Sequence, residues 1–332
     1  MKYIDMHCDT ILGWLEQEEG REEVDFAQSD LSVDLDKLKR GGCLVQNFAL
    51  FTDRKKYAVP EKHTMKLYDL YCRMLEQNED RIAPVLRFSD IEKNEKEGKL
   101  SALLTLEEGD VVFNDLAMLR NYYRMGVRMI ALTWNYPNAI GHPNVSMSDF
   151  SHYKAADVLQ KPNEKDGLSE FGKQYIALME ELGMIVDVSH LSDAGFWDVV
   201  RYSTKPFVAS HSNARAVCCA ARNLSDDMIR ALASKGGVMG LNFCADFLND
   251  RGDERSTIED MIAHIDHIRD IAGIDVIGIG TDFDGILSDV EVRDASMMPA
   301  LAHALQEHGY TEEEIDSIMY KNVLRVYKKG LK

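Results

Sequence analysis

"MIVDVSH" at residues 184–190 and "FVASHS" at 207–212 are two short apolar runs, each ending on a histidine, His190 and His211. One such histidine reads most simply as a core residue with satisfied hydrogen bonds. Two at the ends of consecutive runs ask for a shared reason. Working outward, six more short apolar segments appear, at 3–9, 43–51, 102–109, 127–134, 237–243 and 276–285. Each is bounded by Gly, Pro or charge, as expected of strands buried on both faces.

The stretches between them carry helical period. After Ser169, an expected N-cap, apolar residues fall at Phe171, Tyr175, Leu178, Met179 and Leu182, and Gly183 closes the turn. Ile258, Met261, Ile262, Ile265 and Ile268 form a second apolar face, ended by Gly273. Thr311 and Glu314 predict a capping box ahead of Ile315, Ile318 and Met319. The charged stretch 90–99 reads as solvated helix face and loop.

Strand–helix alternation implies parallel strands with right-handed crossovers. Eight strands predict a (β/α)8 barrel occupying residues 1–332 as a single domain. The alternative, a doubly wound open sheet, places its ligand crevice at one switch point. A barrel instead expects polar residues at the C-terminal ends of many strands. His7 and Asp9 end the first segment, Glu107 and Glu108 the third, His190 the fifth, His211 the sixth, and Asp282 and Asp284 the eighth. That spread favours the barrel.

The chain has 332 residues, with 38 Lys+Arg against 56 Asp+Glu and a formal net charge of −18. A polyanion argues against nucleic acid and anionic membranes as partners. No apolar run is long enough to span a bilayer, and no secretory signal is read at the start. The six cysteines show no C-x-x-C pair. They read as reduced thiols of a cytoplasmic protein.

Side chains alternate along a strand, so His7 and Asp9 point one way and Cys8 the other. Alone, H-x-D is also compatible with a helix cap or a buried His–Asp pair. Joined by His190, His211 and a glutamate at the third strand, it supplies ligands for two ions that share a carboxylate. Imidazole and carboxylate suit zinc, and a two-ion site lowers the pKa of a shared water and polarises a substrate oxygen.

With these residues on the page, the sequence resembles the membrane (renal) dipeptidase family of binuclear zinc peptidases, over nearly the whole chain. The stretches that carry the likeness are "DMHCDT", "LTLEEGD", "GLSEFG", "VDVSHLS", "ASHSNARAVCCAARNLSDDMIRAL", "LNF", "HIDHIRDIAG" and "GIGTDFDG". The resemblance implies an amidohydrolase-type barrel that cleaves L-Xaa-L-Xaa or L-Xaa-D-Xaa dipeptides with a metal-bridging hydroxide. It assigns His7 and Asp9 to one zinc, His190 and His211 to a second, and Glu107 to the bridge. It assigns Arg222 to the substrate carboxylate and Asp282 to proton transfer, and it implies a homodimer.

One departure is visible. The family's fourth strand ends in a histidine that contacts substrate, whereas here "LTWNYPN" puts Trp134 there. His142 and His152 in the following loop are candidate replacements. The departure keeps open a binuclear amidohydrolase for an N-acyl amino acid or lactam. A non-catalytic metal- or ligand-binding barrel is the reading of another class, and Asp282 argues against it. Glu108 reads as structural or as support for the ligands. Asp284 reads as a cap or as orienting a neighbour, and His264 and His267 as structural. His63, His303 and His308 read as surface. Arg215 is the rival to Arg222.

Overall fold

A computed structural model describes residues 1–20, 24–147 and 161–332. Its strands, in chain order, are β1 (Tyr3–Asp5), β2 (Cys43–Phe51), β3 (Ile82–Pro84), β4 (Leu100–Glu107), β5 (Val127–Ala131), β6 (Ile185–Asp187), β7 (Val208–Ala209), β8 (Val238–Leu241), β9 (Arg255–Ser256), β10 (Ile277–Ile279) and β11 (Asp289–Val290). The main sheet runs β2-β1-β10-β8-β7-β6-β5-β4, and β2 pairs β4 to close it. Its pairings are all parallel. The protein is thus the expected closed eight-stranded barrel, with helices in the crossovers.

Two differences from the sequence reading have physical causes. First, β3 was not among the eight segments. It is three residues long and pairs only with the start of β4, Ile82 opposite Leu100 through Pro84 opposite Ala102. Second, three barrel strands stop short of the polar residues expected at their ends, whereas β4 runs to Glu107. β1 ends at Asp5 rather than Asp9, β6 at Asp187 rather than His190, and β10 at Ile279 rather than Gly285. Glu108, His190, Asp282 and Asp284 all have positive φ, between 65° and 76° apart from Asp282 at 63°. An L-residue in that region leaves the β conformation, so regular pairing does not run on through these four residues.

The capping signals hold. Ser169 accepts from the Gly172 N–H at the head of helix Glu170–Leu182, and Gly183 closes it with φ 87°. Helix Ile258–Ala272 has a Thr257–Asp260 capping box. Thr311 and Glu314 form theirs at helix Glu312–Asp316. The stretch 90–99 falls mostly in helix Phe88–Lys96.

One apolar cluster joins residues from seven strands, Ile4, Val45, Leu103, Met129, Ile185, Val208 and Val238, to Val323, Val326 and Tyr327 of the last helix, Asn322–Gly330. That helix sits at the N-terminal ends of the strands. Its Asn322 amide donates to Ile277 O (2.9 Å), and Arg325 donates to Gly236 O (2.6 Å) just ahead of β8. The opposite end is left for the site. There the chain after β7 crosses very close to its neighbours. A Cβ on Gly240 would stand 1.9 Å from Ser210 O, and one on Gly280 1.7 Å from the same atom. Only glycine fits at either place.

Candidate active site

His7, Asp9, Glu107, His190, His211 and Asp282 are all buried, and they converge from five strand ends. Their ligating atoms fall into overlapping groups: His7, Asp9 and Glu107; Glu107, His190 and His211; and His7, His211 and Asp282. Glu107 belongs to the first two groups. Its Oε2 lies 3.2 Å from His7 Nε2, while its Oε1 lies 2.8 Å from His190 Nε2 and 3.7 Å from His211 Nε2. One carboxylate therefore faces two ligand sets, one with each oxygen. His7 Nε2 is also 3.5 Å from Asp9 Oδ2 and 3.7 Å from Asp282 Oδ1.

Neighbouring residues set the imidazole tautomers. His190 Nδ1 lies 3.0 Å from Asn135 Oδ1, which can only accept, so Nδ1 carries the proton. The Ser210 hydroxyl donates to Asp187 Oδ2 and so accepts from His211 Nδ1 at 2.7 Å. Both Nε2 lone pairs then point at each other across 2.9 Å, with Glu107 Oε1 beside them. Facing lone pairs next to a carboxylate are repulsive unless a cation lies among them. His7 Nε2 and Asp9 Oδ1 are likewise buried without a hydrogen-bond partner. The donor set fits metal ions, and its imidazole–carboxylate chemistry fits zinc.

The electrostatics agree. Burial drives His190 and His211 well below the usual imidazole range, so both are neutral and ready to ligate. Burial pushes the Glu107 carboxyl up to about 7, with His7 opposing, and it raises Asp282 likewise. Burial also disfavours charge on His7, yet the Glu107 and Asp9 carboxylates hold its imidazole well above the ordinary value. Bound cations would lower these carboxyls again.

Gly285 makes room for the carboxylates. A Cβ there would lie 2.2 Å from Asp9 Oδ2 and 2.9 Å from Asp282 Oδ1. Cys8 faces away as expected; it is buried in the apolar core, with Sγ 3.4 Å from Asn47 O. The Cys8–Phe283 bridge, outside any regular strand, is what carries β1's direction on to Asp9.

Arg222 is buried, with weak donations to Ser212 Oγ (3.4 Å) and His211 O (3.3 Å), and its Nε has no partner. Among the described residues no carboxylate lies within ion-pair distance of it. Arg215 differs. Its guanidinium grips both oxygens of Asp193 at 2.7 Å and donates to Asn223 O, so it is not free for substrate. Asn144 and Arg215 both donate to Ala221 O, fixing the backbone next to Arg222.

Trp134 follows β5, half-buried, its ring edge-on to Phe51 (4.9 Å) and Tyr136 (5.5 Å). His142 lies with Nδ1 3.4 Å from Gly167 O and joins none of the ligand groups. His152 lies outside the described residues. Glu108 accepts from Asn138 (2.6 Å) and from the Asp110 N–H, with Oε2 unpartnered, and burial pushes its carboxyl up to about 7. Asp284 ties Thr10 to the Ser32 backbone. His264 and His267 are structural: His264 bridges Ala214 N and Leu248 O, and His267 meets Asp226. His303 and His308 lie at the surface beside Glu307 and Asp266. His63 does not. It is buried, with its ring stacked 3.7 Å from Tyr57, because the 52–59 loop folds back over it.

Asn135, Asp187, Ser210 and Asn242 escaped the sequence reading. The signal was present: each lies at or just beyond the end of an apolar run, the rule that found the histidines. Three of them are neither acids nor imidazoles, and Asp187 was passed over for the histidine that follows it in the same run.

A closed parallel barrel that gathers three histidines and three carboxylates at its C-terminal mouth defines a barrel metallohydrolase. The chain belongs to the membrane dipeptidase family, peptidase family M19, whose model matches residues 1–330. It is an enzyme of the metallodipeptidase type. An uncharacterized dipeptidase of Schizosaccharomyces pombe is 32% identical over 99% of this chain and 80% of its own length. An uncharacterized protein of Klebsiella pneumoniae, encoded in the pqqA 5′ region, is 34% identical over 77% of this chain and 92% of its own. A crystal structure of a Rhodobacter sphaeroides metallopeptidase, liganded with a phosphinate mimic of L-Ala-D-Ala, has a TM-score of 0.88 and 25% identity, covering 99% of each chain. No helix among the described residues is long and apolar enough to cross a membrane.

Proposed function

We propose that this protein hydrolyses dipeptides at a two-zinc site held by His7, Asp9, Glu107, His190 and His211. The observation that carries the reading is Glu107, which offers one oxygen to His7 and the other to the His190–His211 pair. When bound, the ions supply an activated water and polarise the scissile carbonyl.

The chain's own residues do the rest. Arg222, buried and with no carboxylate partner among the described residues, receives the substrate's α-carboxylate by a two-point grip. A buried guanidinium at a fixed place measures the substrate from its end, which selects dipeptides. Asp282 Oδ1 takes a proton from the attacking water and returns it to the departing amine as the C–N bond breaks. Trp134 contributes an apolar wall with one N–H donor where relatives place a histidine. L-Xaa-L-Xaa and L-Xaa-D-Xaa dipeptides are both in scope, and the Rhodobacter neighbour's bound L-Ala-D-Ala mimic supports the second.

Trp134 favours one further reading, an amidohydrolase for N-acyl amino acids or lactams, which would not need the missing imidazole. The test is turnover of the zinc-loaded enzyme on L-Ala-L-Ala, L-Ala-D-Ala and a wider dipeptide panel beside N-acyl amino acids. Dipeptide turnover is expected; turnover of N-acyl amino acids alone transfers the assignment to the second reading. No turnover on either panel leaves a metal-binding barrel. Six unpaired cysteines support our placement of the protein in a reducing cytoplasm. The homodimer rests on family likeness and is tested by sedimentation.

A further inference from the structure

We propose that Asn242 positions the Asp282 carboxylate, holding Oδ2 so that Oδ1 faces the reacting atoms; this rests on the dipeptidase reading above. Asn242 directly follows β8 and is fully buried. Its Oδ1 accepts the Cys244 N–H at 2.7 Å, which leaves Nδ2 to donate to Asp282 Oδ2 at 2.8 Å and to His211 O at 3.3 Å. The reversed amide would set donor against donor at Cys244 and acceptor against carboxylate at Asp282, so a single orientation survives. The backbone is held as well. The Asn242 N–H donates to Asn213 Oδ1, and Asn213 Nδ2 donates back to Asn242 O, both at 2.9 Å.

This matters because Asp282 lies in the left-handed region, φ 63°, beyond the end of β10. No regular strand aims its side chain. Among the described residues Asn242 makes the only side-chain hydrogen bond to it. With Oδ2 occupied by an N–H, a proton arriving on the carboxyl is directed to Oδ1. That oxygen lies 3.7 Å from His7 Nε2, on the ligand side. The same amide grips the His211 carbonyl, tying the proton-transfer group to the strand end that carries a ligand. Asn242 itself touches no reacting atom.

The test compares wild type with Asn242→Ala and Asn242→Leu, all zinc-loaded. The second variant keeps the side-chain volume but lacks the N–H. We expect kcat on the best dipeptide to fall about 10²-fold in both, the scale of a misplaced reacting group. KM stays within about twofold and zinc content matches wild type. A crystal structure of Asn242→Leu shows the Asp282 carboxylate rotated, with His7, Glu107 and His190 in place. An unchanged kcat, an unmoved Asp282, or a loss that follows zinc content overturns the positioning role. Inactivity of wild type on every dipeptide overturns the dipeptidase reading first, and this inference with it.

Discussion

At Arg222 a buried cation sits without a carboxylate among the described residues, and at Arg215, seven residues earlier in the same loop, an otherwise similar cation is fully committed to Asp193. The two predict different phenotypes. Arg222→Ala is expected to raise KM for dipeptides about 10- to 10²-fold, the worth of lost charge-assisted hydrogen bonds, while zinc content by metal analysis stays full. An unchanged KM refutes the substrate role. Asp282→Asn is expected to lower kcat by about 10²–10⁴ with both metals retained; near-normal turnover refutes it. The candidate ligands were legible in the sequence because His and Asp two apart, and histidines at strand ends, are chemically conspicuous. Asn135 and Ser210 were not, because their role is only to settle which imidazole nitrogen carries the proton. Such a role exists only once β5 and β7 stand on either side of β6.

Among the elements, turns and helices impose their own tests. The turn after β10 passes so close to the ligands that Gly285→Ala would drive a methyl into Asp9 Oδ2. We expect this variant to fold and to bind zinc more weakly, measured by competition with a chromophoric chelator; wild-type affinity would show that the turn yields. Helix Ile258–Ala272 is tied down through His264, whose Nδ1 accepts the Ala214 N–H (3.1 Å) and whose Nε2 donates to Leu248 O (3.0 Å). Burial lowers its imidazole from 6.5 to about 4. The folded form is therefore the neutral one, and the unfolded chain binds the proton more readily. Stability from this residue is complete above about pH 6.5 and is lost as pH falls toward about 4, by up to about 3 kcal/mol. Urea unfolding across that window should show the slope, and His264→Gln should flatten it. The helix itself was readable from Thr257 to Gly273, whereas the partners of His264 were not, since they lie on other segments of the chain.

For the molecule as a whole, cations held by the proposed ligands would be part of the fold's electrostatic balance. Asp9, Glu107 and Asp282 are three buried carboxylates around the His7 imidazole, which Glu107 and Asp9 push above its ordinary range, while burial pushes the His190 and His211 imidazoles below it. Ions that bind only the folded chain stabilise it in proportion to the logarithm of their concentration. Chelation is therefore expected to lower Tm by several degrees and re-added zinc to restore it, by calorimetry, with the Arg222→Ala protein responding as wild type does. A Tm indifferent to chelators would mean that the cluster is held by protons alone.

The sequence by itself determined the barrel class, the caps, the family and the identity of the candidate ligands. These follow from local pattern: apolar runs of strand length, capping pairs, and polar residues at the ends of runs. Only the tertiary structure decided where the strands stop, that His63 is covered, that Arg215 is spent on Asp193, and that Glu107 divides its oxygens between two ligand sets. Each of those depends on backbone turns and side chains that take their places only in the folded chain. A pattern read along one chain carries which residue types are present and at what spacing. It does not carry the distances between side chains on different strands, and hydrogen bonding, charge and metal binding are decided by those distances.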